Sequence, residues 1–187
     1  MTAATVRIDS GSGLLRYAEG IRAVYADAFT GPPWHEDPAT ADTYPARLSE
    51  DATRPGFTAA LTVEGTTVLG FAVGWTTPDR LPADRCYPRV AAALGPDRTR
   101  SWLCGGREID ELAVHTGARG LGVGAALLAA LTADAPAARS WLLTSAHADA
   151  ALSFYRRLGW HQVTHPAPGG NGPVVFLGPG HPAAPPH

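Results

Sequence analysis

Cysteine is scarce in this chain. Two thiols, Cys86 and Cys104, stand in 187 residues without C-x-x-C spacing. A disulfide framework is thereby excluded, and two unpaired thiols in a reducing cytoplasm are expected. An excess of charge of one sign is also missing. The formal net charge of -2 leaves no basic footprint for a nucleic acid partner. No uninterrupted apolar run approaches a membrane span. The opening residues, Met1 to Asp9, lack the apolar core of a signal peptide. The seven histidines show no metal spacing. His161 and His165 are four apart, but in an expected strand and loop rather than on one helix face, so no metal is expected. Gly-x-Ser-x-Gly and Walker sequences do not occur.

Hydrophobic residues make up 45% of the chain and charged ones 17%, which indicates a globular protein rather than a disordered one. The length suits one domain with a proper core, over 1–177, followed by a proline-rich tail over 178–187 that is expected to fray. Thr5–Ile8 reads as a short strand and Ser10–Gly13 as a turn. Leu14–Phe29 carries Leu14, Ala18, Ile21, Val24, Tyr25 and Ala28 on one helical face. Gly31-Pro32-Pro33 stops it. Ala39–Glu50 reads as a second helix, started late or kinked by Pro45. Phe57–Val63 and Thr67–Thr76, separated by Glu64-Gly65-Thr66, read as an antiparallel hairpin. Pro78–Gly106 is a long excursion containing a helical pattern over Arg85–Leu94; such connections often act as lids.

The stretch Glu108–Leu128 organises the rest. It begins as a strand with Ile109, Leu112, Ala113 and Val114. It ends as a helix with Val123, Ala126, Leu127, Ala130 and Leu131 at helical spacing. Between them, Arg119-Gly120-Leu121-Gly122-Val123-Gly124 forms a corner. Glycines there allow a tight turn and let a ligand approach without meeting a Cβ. Helix N–H groups and the positive dipole end suit a phosphate or pyrophosphate. Ser140–Ser145 is a buried strand parallel to the first. Ala148–Leu158 is a helix capped by Gly159, and Trp160–Thr164 and Val174–Leu177 are the last strands. The order of elements indicates a mixed α/β sheet.

Arg119, Gly122 and Gly124, in the pattern Arg-x-x-Gly-x-Gly, resemble the acetyl-CoA pyrophosphate loop of the GNAT N-acetyltransferases. The resemblance takes in the preceding Glu-Leu-Ala-Val strand, the following Gly-Ala-Ala-Leu-Leu and the Tyr155–Trp160 signature. It implies a GNAT-like α/β fold: a mixed, mostly antiparallel central sheet with flanking helices. In the family two parallel strands splay apart and the pantetheine arm lies between them. It implies transfer of an acetyl group from acetyl-CoA to a primary amine by direct attack in a ternary complex. A small molecule is the favoured acceptor, and homodimers are frequent in the family.

The resemblance also implies roles. Tyr155 matches the general acid. Glu108 and Asp110 match positions where members place a base; these two share one strand face, whereas Glu111 lies on the other and reads as a structural or solvated carboxylate. An ordered water is the alternative to either base. Backbone groups of Leu112, Ala113 and Val114 would meet the pantetheine and the oxyanion. Arg119, Gly120, Gly122, Val123, Gly124 and Ala125 would cradle the pyrophosphate. The family's usual Asn near the start of the later helix is replaced by Ala148, beside Asp149. The acceptor pocket would draw on Gly31–Glu36, Pro78–Gly106 and Pro166–Pro173, with Asp37, Asp79 or Asp84 able to attract a cation. A non-catalytic acyl-CoA-binding module and a protein N-acetyltransferase are the competing readings. A dinucleotide fingerprint lacks its third glycine.

Overall fold

Alternating small and β-branched residues build the hairpin at the front of the sheet. Strand β2 (Thr58–Glu64) turns through Gly65, at φ 60°, into β3 (Thr67–Thr76), with the register running from Thr58↔Gly74 to Glu64↔Thr67. Strand β1 (Thr5–Asp9) lies antiparallel on β2. In this computed structural model, residues 5–9, 11–167, 170 and 172–185 are described. Seven strands among them are hydrogen-bonded in the order β1-β2-β3-β4-β5-β7-β6. Here β4 is Arg107–Val114, β5 Ser140–Ser145, β6 His161–Gln162 and β7 Pro173–Leu177. The β4–β5 pair is parallel, and β5–β7 and β6–β7 are antiparallel. This is the mixed sheet expected from the order of elements.

Two compact units share β4. The first comprises the chain up to Trp75 together with Asp110–Ala133. It holds helices α1 (Ala18–Phe29) and α2 (Pro38–Asp51) and the long-expected helix α5 (Val123–Thr132). Its core joins Ile21, Val24, Tyr25 and Phe29 of α1 and Tyr44 and Leu48 of α2 to Leu61, Phe71 and Val73 of the hairpin, and Ala113 of β4. Gly70 is required there. A Cβ on it would stand 2.9 Å from the Ala113 carbonyl oxygen and 3.1 Å from Leu127 and Val123 side chains.

The second unit takes Thr76–Ile109 and the chain from Asp134 onward. It holds helix α3 (Tyr87–Leu94), a short helix α4 (Pro96–Arg98) that runs into a π-helical turn (Thr99–Leu103), and helix α6 (Asp149–Arg157). Its core gathers Tyr87, Val90, Leu94, Leu103, Trp141, Val175 and Leu177. The excursion therefore packs its helix into this core.

Three local expectations change. The chain before α1 forms a 3-10 helix over Ser12–Tyr17, so the expected helix begins properly at Ala18; Ser10 of the expected turn lies outside the described residues. Helix α2 begins at Pro38, capped by the Asp37 side chain on the Ala39 N–H, and continues through Pro45 rather than starting late. The tail does not fray over 178–185. His181 is buried, its Nε2 lies 2.8 Å from the Trp102 carbonyl oxygen, and its Nδ1 accepts the Ala183 N–H. The last two residues, and 168, 169 and 171 of the expected Pro/Gly loop, lie outside the described residues. Among the described residues no helix is long and apolar enough to cross a membrane.

Candidate active site

In the first unit the corner is built by glycine chemistry. Strand β4 ends at Val114 and passes into a one-turn 3-10 helix over Thr116–Ala118. The His115 Nδ1 caps that turn by accepting the Gly117 N–H, and the His115 N–H donates to the Leu69 carbonyl. Asp27 of α1 accepts the Thr116 N–H at 2.6 Å and its hydroxyl at 3.1 Å. Asp27 thus pins the approach to the corner, and no sequence signal points to it.

Gly120 and Gly122 then adopt φ of 78° and 80°, the left-handed region that favours glycine. A Cβ at either would meet nothing within 4 Å. The glycines are therefore demanded by backbone conformation, and the space beside them is open. Gly122 is the N-cap of α5, which has no side-chain cap. The first-turn amides of Val123, Gly124 and Ala125 are left with the donor character of an uncapped helix start. The Arg119 side chain folds back, its Nε donating to the Val114 carbonyl at 3.4 Å. Leu121 between the glycines is 74% exposed.

Strand β4 carries three acids with different surroundings. Glu108, in the second unit, is buried, and its Oε1 accepts the Tyr87 hydroxyl at 2.8 Å. Asp110, in the first unit, is half-buried. Glu111 is paired with Arg47 of α2 at 2.6 Å, its side chain 16% exposed. Around that pair, Tyr25 stacks on Tyr44 at 4.2 Å, the Arg47 guanidinium lies 4.7 Å from the Tyr44 ring centre, and the Tyr25 hydroxyl donates to Glu36. Burial, then the neighbouring Asp110 charge, push the Glu111 carboxyl up to about 8, while Arg47 holds part of that rise in check. Burial, the largest single effect, lowers the Arg47 guanidinium; Glu111, Tyr25, Tyr44 and Asp110 together outweigh it and the net shift is upward. Burial also raises Tyr44 well above an ordinary phenol, with Glu111 and Asp110 adding to it. Glu111 is thus a buried structural acid rather than a solvated one.

Tyr155 sits in the last turns of α6, buried, with its ring 5.6 Å from Phe176 and 6.1 Å from Trp160. The helix closes at Gly159, whose φ is 77°. Ala148 is buried at its N-cap and supplies no side-chain bond. The parallel register runs from Arg107↔Ser140 through Glu108↔Trp141 to Ile109↔Leu142.

The sequence model of the acetyltransferase (GNAT) family matches residues 18–160. The chain belongs to the GNAT acetyltransferase family. No curated protein matches this acetyltransferase. Solved structures share its fold. An acetyltransferase from Thermus thermophilus is 15% identical, covering 95% of this chain and 98% of its own, with a TM-score of 0.65. PaiA N-acetyltransferase from Thermoplasma acidophilum, in complex with coenzyme A, is 10% identical over 93% and 98%, with a TM-score of 0.59. The ribosomal-protein-S18-alanine N-acetyltransferase from Escherichia coli is 16% identical over 98% and 99%, with a TM-score of 0.54. This acetyltransferase thus has the family's fold, and the contacts of Tyr87 with Glu108, Arg47 with Glu111 and Asp27 with Thr116 are ones that motif reading did not reach.

Proposed function

We propose that this enzyme moves an acetyl group from acetyl-CoA to a primary amine, with a cytoplasmic small molecule as the acceptor. The observation that carries the reading is the corner at Gly120 and Gly122. It combines left-handed glycines, open space where side chains would stand, and an uncapped helix start. Such amides suit a pyrophosphate. A structural neighbour bound to coenzyme A supports that choice. The short parallel register, ending at Ile109↔Leu142, supports strand-edge groups of Leu112–Val114 as contacts for the pantetheine and the oxyanion. Residues 1–177 would act as one catalytic domain, and the family's habit favours a homodimer.

The reaction is attack of the amine nitrogen on the thioester carbonyl carbon, with the C–S bond breaking and sulfur leaving as a thiolate. An alkylammonium with a pKa near ~10 must first lose a proton. Glu108 accepts it, with Asp110 or a bridging water in the path. The Tyr155 hydroxyl protonates the thiolate; a phenol near ~10 facing a thiol near ~8.5 needs favourable placement. Amine panels with free-thiol detection test the acceptor. Tyr155→Phe and Glu108→Gln should each lower kcat by roughly 100-fold or more, with acetyl-CoA binding retained in calorimetry; full activity in both would remove these roles.

Two other readings have specific support. The S18-alanine N-acetyltransferase neighbour favours protein N-termini, so the panel includes peptides. Ala148 in place of the family Asn favours a binding module, which acetyl-CoA binding without turnover on any amine would reveal.

A further inference from the structure

The excursion between β3 and β4 reaches the Glu108 carboxylate. Tyr87, at the start of α3, is 3% exposed, and its hydroxyl donates to Glu108 Oε1 at 2.8 Å; Glu108 is equally buried at 3%. Arg85 lies on the solvent side of the same hydroxyl, with Nη1 at 3.4 Å and its guanidinium 5.6 Å from the Tyr87 ring centre. A contiguous chain of contacts therefore runs from an exposed guanidinium through a phenol to a buried carboxylate.

Burial disfavours a charged carboxylate, and a hydrogen bond donated to the charged form restores it. Such bonds to ionised acceptors are among the stronger ones in proteins. Charged or titratable groups close by include Arg85 and Cys86 just before α3 and Arg89 on α3; on β4, Asp110 shares the Glu108 face and Arg107 lies on the other. Arg107 is 3.4 Å from Asp134. Burial raises the Cys86 thiol; Arg85 and Arg89 lower it and Glu108 adds to the rise. Across the parallel pair, Glu108 faces Trp141, which does not titrate. Tyr87 is a buried donor in direct contact with the Glu108 carboxylate, so its removal would alter Glu108 directly.

We propose that Tyr87, supplied by the excursion, is a positioning residue for the acetyl transfer, holding Glu108 ionised and oriented. The proposal rests on the reading of Glu108 as proton acceptor. Tyr87 touches Glu108 and no reacting atom is assigned to it.

The test is a carbon-13 NMR titration of the glutamate carboxyls in the full chain, with the Glu108 signal assigned by its loss in Glu108→Gln. In Tyr87→Phe the Glu108 midpoint should rise by about 1–2 pH units, the size expected for losing a charge-assisted hydrogen bond. An unchanged midpoint in folded Tyr87→Phe overturns the proposal. Site-specific 3-fluorotyrosine at position 87, a stronger donor of nearly the same shape, should move the midpoint downward. That variant decides the matter if the phenylalanine variant fails to fold, because packing is preserved; a midpoint that does not move down refutes the role. The pH–rate profile then separates the two readings. An acid limb that follows the NMR midpoint supports both. A midpoint that moves while the rate limb stays fixed preserves the hold on Glu108 and removes Glu108 as the proton acceptor.

Discussion

Glu111→Gln should make the enzyme's stability less sensitive to pH. The Glu111 carboxyl rises from 4.5 to about 8 through burial and the Asp110 charge. Its folded-state pKa therefore lies above its unfolded value. Between those values the folded state holds the proton more tightly, so stability is fully present at low pH and falls as pH climbs through about 8. At about 1.4 kcal/mol per pKa unit the ceiling is ~5 kcal/mol. Solvent screening at a side chain that is 16% exposed reduces this to about 2 kcal/mol. Glutamine cannot titrate and escapes the slope. Urea unfolding followed by tryptophan fluorescence, at pH 5 and pH 8.5, reads the difference, provided m is unchanged. Wild type should lose about 2 kcal/mol more than Glu111→Gln across that interval. Arg47→Met should act in the opposite sense, costing about 3 kcal/mol and more at pH 8.5 than at pH 5. Parallel pH dependences for wild type and Glu111→Gln would refute the account.

Other outcomes follow from single contacts. Gly122→Ala forces a φ of 80° on a side chain and should cost about 1–2 kcal/mol, seen in the melting temperature. It should also weaken acetyl-CoA binding in calorimetry, and unchanged affinity would count against the corner as the pyrophosphate site. Gly70→Ala places a Cβ 2.9 Å from the Ala113 carbonyl oxygen and should destabilise by about 1–3 kcal/mol; a neutral melting temperature would contradict the close approach. His181 accepts the Ala183 N–H and is held below the usual histidine range chiefly by burial. Its folded pKa is depressed, so its contribution is present above the unfolded value near 6.5 and fades as pH falls below it. Amide exchange over 178–185 should speed up on going from pH 7 to pH 5, after correction for the intrinsic rate; an unchanged corrected rate would contradict this.

Local chemistry made much of this protein legible in its sequence. The β2–β3 hairpin could be read because Gly65 lies between two β-rich runs, and a turn depends on a few neighbouring residues. The corner at Arg119–Gly124 and the family itself could be read for the same reason: glycine spacing, strand and helix are contiguous. The mixed sheet and its parallel β4–β5 pair followed from the succession of elements, whereas the placing of β7 between β5 and β6 did not. The surroundings of the acids did not follow. Alternation placed Glu108 and Glu111 on opposite faces of β4, but it cannot name what each face meets. Tyr87 reaches Glu108 across 21 positions, Arg47 reaches Glu111 across 64, and Asp27 reaches Thr116 across 89. No periodicity spans such distances; only the packing of α1, α2 and α3 within their own units makes those pairs. The tail shows the same division. Its prolines suggested fraying, yet one histidine bonded to the Trp102 carbonyl fastens it. Sequence determined where the backbone turns and which faces are apolar, because those preferences act over a few residues. Tertiary structure decided which acid is buried, which is paired and by whom, because burial and charge pairing depend on segments that meet only after the chain has folded.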